Sequence, residues 1–339
     1  MGLESAWYKS RATWTLLLWP LEKLFVTIAN YNKLKHLKKQ WQPPCPLLIV
    51  GNISIGGTGK SPLTIELIEI LRSRGYKVGV VSRGYGANRS DFPYQVRASD
   101  TATQAPDEPL MIVRRTGVSL VIDPNRVRAC QYLLANNDCD LILSDDGLQH
   151  YQMGRDIEIA VIDASRGLGN GHCLPVGPLR EYPARLQTVD YVLINGAGAT
   201  KFDSSYPMQI APCGWYRVKD DHYFSLQEFS AKLQSVDFGK ANIHAIAGIG
   251  NPQRFFDTLK QMGLDVIAHS FADHYQYRSA DIRFDAADIV CMTEKDAVKC
   301  RQYAAENCYY LRISAHLEPA FIDKLCSQID AVSAAKLTI

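Results

Sequence analysis

Leu47-Leu48-Ile49-Val50-Gly51-Asn52-Ile53-Ser54-Ile55-Gly56-Gly57-Thr58-Gly59-Lys60-Ser61 is the stretch on which the fold turns. Its four leading apolar residues read as a buried strand that ends in a glycine loop. Lys60-Ser61 then opens a helical pattern that runs to Arg74 and stops at Gly75. This order suits a phosphate. Glycines let backbone N–H groups close around it, and the helix N-terminus adds positive potential. Lys60 reaches the β/γ oxygens, and the Ser61 hydroxyl suits Mg²⁺. The usual pattern is G-x-x-x-x-G-K-[ST], with Ser54 here where the first glycine stands. The candidate ATP-binding residues are therefore Ser54, Ile55, Gly56, Gly57, Thr58, Gly59, Lys60 and Ser61.

Outward from this loop, strand-like runs recur at 78–82, 118–122, 141–143, 157–162 and 191–194, with a helical stretch near 125–135. Strands alternating with helices predict an α/β fold, a P-loop NTPase-like doubly wound parallel sheet. The alternation breaks down over 200–237, which reads as an antiparallel patch or a connector. A second series starts near 243 and continues to a last helix at 319–331. The expected organisation is an N-terminal segment (1–40), a P-loop kinase domain (41–235) and a second, smaller α/β lobe (236–339).

The chain has 339 residues, 47% apolar and 21% charged, which suits about two domains and excludes a disordered or collagen-like chain. No run of about 18 apolar residues marks a polytopic membrane protein. The nine scattered cysteines form no CxxC pair, so a zinc module or disulfide framework is not expected. The net charge of +2 gives no reason to expect a nucleic-acid partner. That average hides an asymmetry: residues 1–40 carry +5 and the remainder −3.

Trp14, Leu17, Leu18, Leu21, Leu24, Phe25 and Ile28 form one apolar stripe on a helical wheel, which Pro20 bends or divides. Lys33, Lys35, Lys38 and Lys39 follow at once. An N-terminal amphipathic helix of this kind suits the membrane–water interface, each lysine contributing roughly 1 kcal/mol at anionic lipid headgroups. The other placement is a helix packed on the protein's own core.

Leu141-Ile142-Leu143-Ser144-Asp145-Asp146-Gly147 describes a buried strand that ends in carboxylates. Beside a phosphate loop, Asp145 and Asp146 are candidate Mg²⁺ ligands. Thr293-Glu294-Lys295-Asp296 departs from the guanine-reading [NT]-K-x-D at Glu294, and Ile55 stands where partitioning-type ATPases carry a second lysine. A small-molecule kinase remains. Ser82-Arg83-Gly84-Tyr85-Gly86, Asp107-Glu108-Pro109, Asp145-Asp146-Gly147-Leu148-Gln149-His150 and Leu174-Pro175-Val176-Gly177-Pro178-Leu179-Arg180-Glu181 follow the phosphate loop in order. Phe271-Ala272-Asp273-His274-Tyr275 and Thr293-Glu294-Lys295-Asp296-Ala297 complete the set.

This ordered set resembles the tetraacyldisaccharide 4'-kinase family of lipid A biosynthesis in Gram-negative bacteria, over nearly the whole chain. The resemblance implies transfer of the ATP γ-phosphate to an acylated glucosamine disaccharide phosphate, at its 4'-hydroxyl, giving lipid IVA. It also implies a peripheral or monotopic protein at the cytoplasmic face of the inner membrane, with two lobes around a cleft. The family's catalytic aspartate corresponds to Asp107 and its partner histidine to His274. Glu108 is a further Mg²⁺ candidate. Arg180 either neutralises the transferring phosphoryl group or pairs with Glu181. Arg83 is a phosphate-contact candidate, Gln149 and His150 read as supporting residues, and Lys295 and Asp296 serve either nucleotide or lobe packing. The alternative function is a soluble P-loop kinase or ligase for a small polar acceptor.

Overall fold

The structure, a computed structural model, describes residues 3–9, 13–198, 202, 204–234 and 241–338. Arg11 of the basic head and the expected boundary at 235 lie outside them. The chain begins with α1 (Leu3–Ala6), a 3₁₀ turn (Thr13–Leu18) and α2 (Trp19–Leu37). The first half then runs β1 (Leu47–Gly51), α3 (Lys60–Ser73), β2 (Val78–Ser82), β3 (Tyr94–Val96), α4 (Asp107–Thr116) and β4 (Ser119–Ile122). It continues with α5 (Arg126–Asn136), β5 (Leu141–Asp145), β6 (Ile157–Asp163) and β7 (Tyr191–Asn195). A long strand, β8 (Ser205–Arg217), leads to β9 (Tyr223–Phe224) and α6 (Leu226–Gln234). The second half runs β10 (Ile243–Ala247), α7 (Pro252–Gln261), β11 (Ile267–Ser270), β12 (Ile289–Thr293), α8 (Glu294–Cys300), β13 (Cys308–Leu317) and α9 (Pro319–Leu337).

All of these strands join one sheet in the order β11-β10-β12-β13-β8-β7-β6-β1-β5-β2-β4-β3, with β9 beside β8. β1 lies between β5 and β6, parallel to both, so its glycine loop opens at the carboxyl edge of the sheet, where doubly wound folds bind ligands. The apolar runs 47–50 and 141–143 are continuous because both faces of these strands are covered.

The irregular stretch after residue 200 holds the junction between the halves. β8 is parallel to β7 up to Met208, which pairs with Asn195 at the end of β7. It then runs past the end of β7 to Arg217, and β13 pairs with it antiparallel from there back to Leu317 opposite Met208. β12, β10 and β11 follow the direction of β13. The strands of the second half therefore point back at the carboxyl edge of the first, and the loops of both converge.

Packing crosses the expected boundary at 235 in both directions. Trp215 on β8 and Phe229 on α6, which precede residue 235, stack in the core of the second half (ring centroids 4.4 Å apart). Phe321, Leu325 and Ile329 of α9 return to the core of the first half. The helix α4 is also new. Its Asp-Glu-Pro start looks like a turn, but a first-turn proline forfeits no intrahelical bond. Gly117, left-handed at φ 63°, ends it.

Pro20 sits at the start of α2 and divides it from the 3₁₀ turn. The apolar stripe faces outward along the 3₁₀ turn and α2: Leu17 of the turn is 82% exposed, and Leu21, Leu24 and Ile28 of α2 are also exposed. The buried residue of α2 is Glu22, which accepts an N–H from Cys173 at 2.7 Å and lies 3.1 Å from His172 Nδ1. No helix among the described residues is long and apolar enough to cross a membrane.

Candidate active site

Gly56 and Gly59 hold the loop after β1 at φ 98° and 96°, a left-handed backbone that side chains resist. A Cβ on Gly59 would also come within 2.6 Å of Asn195 Nδ2 and 2.7 Å of Ile210 Cδ1. Asn195 Nδ2 donates to Thr58 O at 2.9 Å, so the end of β7 braces the loop. Lys60 Nζ reaches Asn52 Oδ1 at 3.1 Å and Asp146 Oδ1 at 3.5 Å. Ser54 and Ile55 are set back from the cavity. Ile55 donates its N–H to Pro178 O at 2.9 Å, and Ser54 bridges Leu179. Of the expected binding set, Gly56, Gly57, Thr58, Gly59, Lys60 and Ser61 line the cavity.

Asp145 ends β5 directly beside Val50 of β1 and accepts the Thr64 hydroxyl at 3.1 Å. Burial, reinforced by Glu108 and Asp146, pushes its carboxyl up to about 7. Asp146, at φ 50°, turns away from the strand towards Lys60 and Arg180. Its surroundings oppose ionisation, but those two cations outweigh them and hold its pKa down. Arg180 Nη1 lies 3.3 Å from Asp146 Oδ2 and 3.2 Å from Gln149 Oε1, so its ion pair is with Asp146. Glu181 instead accepts from Gln149, Tyr151 and Lys33. His150 is kept neutral, pushed down to about 4 by burial and the nearby Arg126 and Arg155.

Facing this wall, Asp107 occupies the first turn of α4, and its carboxylate meets His274 Nδ1 at 3.2 Å. Burial favours the neutral acid, but the His274 hydrogen bond together with Lys295 and Lys299 outweighs it and lowers the Asp107 pKa. The same bond raises that of His274. His274 sits at φ 58°, and its ring lies 5.9 Å from that of Tyr85. Lys295 Nζ contacts Glu108 Oε1 at 3.2 Å, Asp273 Oδ1 at 3.4 Å and Asp107 Oδ2 at 3.8 Å. Buried Lys299 lies 2.9 Å from Asp296 and 3.9 Å from Asp107.

One cavity of about 1210 Å³ joins these groups, with Lys60, Ser61, Asp145, Asp146 and Arg180 along one side and Asp107, Glu108 and His274 along another. Arg83 and Arg126 also line it, as does Lys33 from α2. Sequence reasoning missed Lys299, although its i,i+4 spacing from Lys295 places both on one helical face. Tyr85 lay in a quoted motif but carried no signal of its contact with His274.

The model of the family described as tetraacyldisaccharide-1-P 4'-kinase matches residues 14–330, nearly the whole chain and both walls of the cavity. The chain belongs to the tetraacyldisaccharide-1-P 4'-kinase family. A tetraacyldisaccharide 4'-kinase of Pseudomonas aeruginosa is 47% identical over 94% of both chains. That of Ectopseudomonas mendocina is 48% identical over 96% of both. The crystal structure of LpxK from Aquifex aeolicus in complex with ATP is similar at a TM-score of 0.76 and 25% identity, covering 94% of this chain and 99% of that one. The family fold is thus a P-loop kinase sheet with a second α/β half, as the glycine loop and the two strand–helix series predicted.

Proposed function

We propose that the chain transfers the γ-phosphoryl group of ATP to the 4'-hydroxyl of tetraacyldisaccharide 1-phosphate, yielding lipid IVA. The observation that carries this reading is the Asp107–His274 contact, made between the two halves in the same cavity as the phosphate loop. A sugar hydroxyl is a weak nucleophile at neutral pH. An ionised carboxylate takes its proton as the new P–O bond forms and the bond to the β-phosphate breaks. Asp107 is that base, and His274 orients it and keeps it charged. Lys60 and Arg180 are the cations for the charge carried by the transferring group. The backbone of Gly56–Ser61 binds the nucleotide phosphates.

Ser61, Asp145, Asp146 and Glu108 are the residues that would hold Mg²⁺. Asp145 supports the fit, because a buried carboxylate beside two others is left short of positive charge. Among the described residues no group of three or more His, Cys, Asp or Glu side chains is arranged to hold a metal by itself. That agrees with an ion shared with phosphates and water. When bound, Mg²⁺ neutralises phosphate oxygens.

The outward stripe of α2, followed by Lys35, Lys38 and Lys39, supports attachment to anionic headgroups at the cytoplasmic face of the inner membrane. We read 1–40 as this attachment, 41–235 as the nucleotide-binding part and 236–339 as the part that brings His274 to the site. The deciding experiment is phosphate transfer from labelled ATP to the acylated disaccharide phosphate in detergent micelles. Lys60→Ala and Asp107→Ala should each abolish most transfer, and normal transfer by both variants would overturn the reading.

A further inference from the structure

Asp107 belongs to the first half of the sheet and His274 to the second, so something must hold the loop that carries His274 against α4. A turn within the loop, Tyr275 N–H to Ala272 O at 3.1 Å, shapes it but makes no tie to α4. His274 is a non-glycine residue in the left-handed region (φ 58°), a conformation that persists only where surrounding contacts enforce it. Its own backbone N–H donates to Asp273 Oδ1 at 3.0 Å. That same oxygen accepts from Lys295 Nζ at 3.4 Å. Lys295 in turn reaches Glu108 Oε1 at 3.2 Å and Asp107 Oδ2 at 3.8 Å, both on α4.

The placement of this lysine is unusual. It occupies the first turn of α8, where the helix dipole disfavours a cation. Its side chain is only 15% exposed, a cost that three surrounding carboxylates from two separate segments offset. Neutralise it, and Asp107, Glu108 and Asp273 face one another with less to hold them together.

We propose that Lys295 is a positioning residue: by tying Asp273 to Asp107 and Glu108, it sets the His274 imidazole on the Asp107 carboxylate. The competing assignment is a direct contact with the nucleotide, since Lys295 also lines the cavity. The inference rests on the Asp107–His274 reading above.

The test compares Lys295→Met, Lys295→Arg and Asp273→Asn, in the wild type and in a His274→Ala background, by phosphate transfer from ATP in micelles. Small displacements of reacting groups cost on the order of 100-fold in rate. Lys295→Met should therefore lower kcat by roughly that factor with the KM for ATP within about threefold, and Lys295→Arg should restore most of it. Asp273→Asn should lower kcat in the same direction, and its half-exposed side chain keeps that variant informative if Lys295→Met does not fold. In the His274→Ala background, neither Lys295→Met nor Asp273→Asn should cost more than about twofold further. Three outcomes overturn the inference: full kcat in the variants, a raised KM for ATP at unchanged kcat, or an undiminished loss when His274 is already absent. Its failure is separable from that of the parent reading. If Asp107→Ala and His274→Ala retain transfer, the parent reading fails. If they lose it while Lys295→Met keeps it, only the positioning role does.

Discussion

At the scale of single residues, the Asp107–His274 pair makes the sharpest commitments. General base catalysis contributes typically 10²–10⁴-fold, so Asp107→Asn should lower kcat by about that range with little change in the KM for ATP. The pair also has a pH signature. His274, raised above its ordinary 6.5 by the bond to Asp107, contributes stability that is complete below 6.5 and lost as pH rises through the folded value. Asp107, lowered from 3.8, contributes above 3.8 and loses that contribution as pH falls through its folded value. The stability difference between wild type and His274→Ala should thus be largest between those limits and shrink on the alkaline side. A direct check is the NMR titration of His274. Its midpoint should lie above 6.5 and return towards it in Asp107→Asn; an unshifted midpoint in the wild type would refute the coupling. Gly59→Ala is a third case at this scale. The substitution strains a φ of 96° and drives a methyl into Asn195 and Ile210, so ATP binding measured by calorimetry should be lost even if the fold survives.

At the scale of elements, α2 separates two roles that one apolar stripe leaves entangled in the sequence. Its leucines face outward, so they contribute little to folding, while buried Glu22, together with Lys33 at Glu181, docks the helix. Replacing Leu17, Leu21 and Leu24 together by Ser should leave the melting temperature nearly unchanged, because exposed positions rarely shift stability beyond about 0.5 kcal/mol each. The same variant should lose most of its sedimentation with anionic vesicles. Glu22→Ala should do the reverse: it strands the Cys173 N–H and costs about 1–3 kcal/mol, with vesicle binding retained. Equal effects of both variants on both measurements would deny the division. The elements also mark where sequence reading stopped. β1, β5 and α3 were legible because burial on two faces and the helical period leave plain patterns. β8 was not, because Pro207 and Pro212 argue against a strand, yet Pro212 lies where the β8–β13 register slips between Arg312 and Ile313. α4 hid behind Asp-Glu-Pro. Asp107 and His274, the proposed base and its partner, were singled out through the ordered motifs, and the structure brings them into contact, whereas the Lys295 and Lys299 contacts depend on β8 folding one half back on the other, which no local pattern encodes.

At the scale of the molecule, the chain order and the core disagree about where one unit ends. A break near 235 suggests an amino-terminal fragment able to bind nucleotide alone. The packing argues otherwise. The first half borrows Phe321, Leu325 and Ile329 from α9, and each fully buried side chain of this size contributes roughly 1.5–3 kcal/mol. Their sum is on the order of the net stability of a whole domain. Strand β8 would meanwhile lose β13 along its outer length and present an open sheet edge. A fragment of residues 1–235 should therefore fail to show a cooperative thermal transition, and the intact chain should unfold as one unit in calorimetry, with matching calorimetric and van't Hoff enthalpies. Adding residues 236–339 in trans should restore both the transition and ATP binding, since that piece supplies β13 and α9. A fragment that melts cooperatively and binds ATP unaided would mean that the shared strand and the returning helix are appendages, and that the two halves meet only at the site.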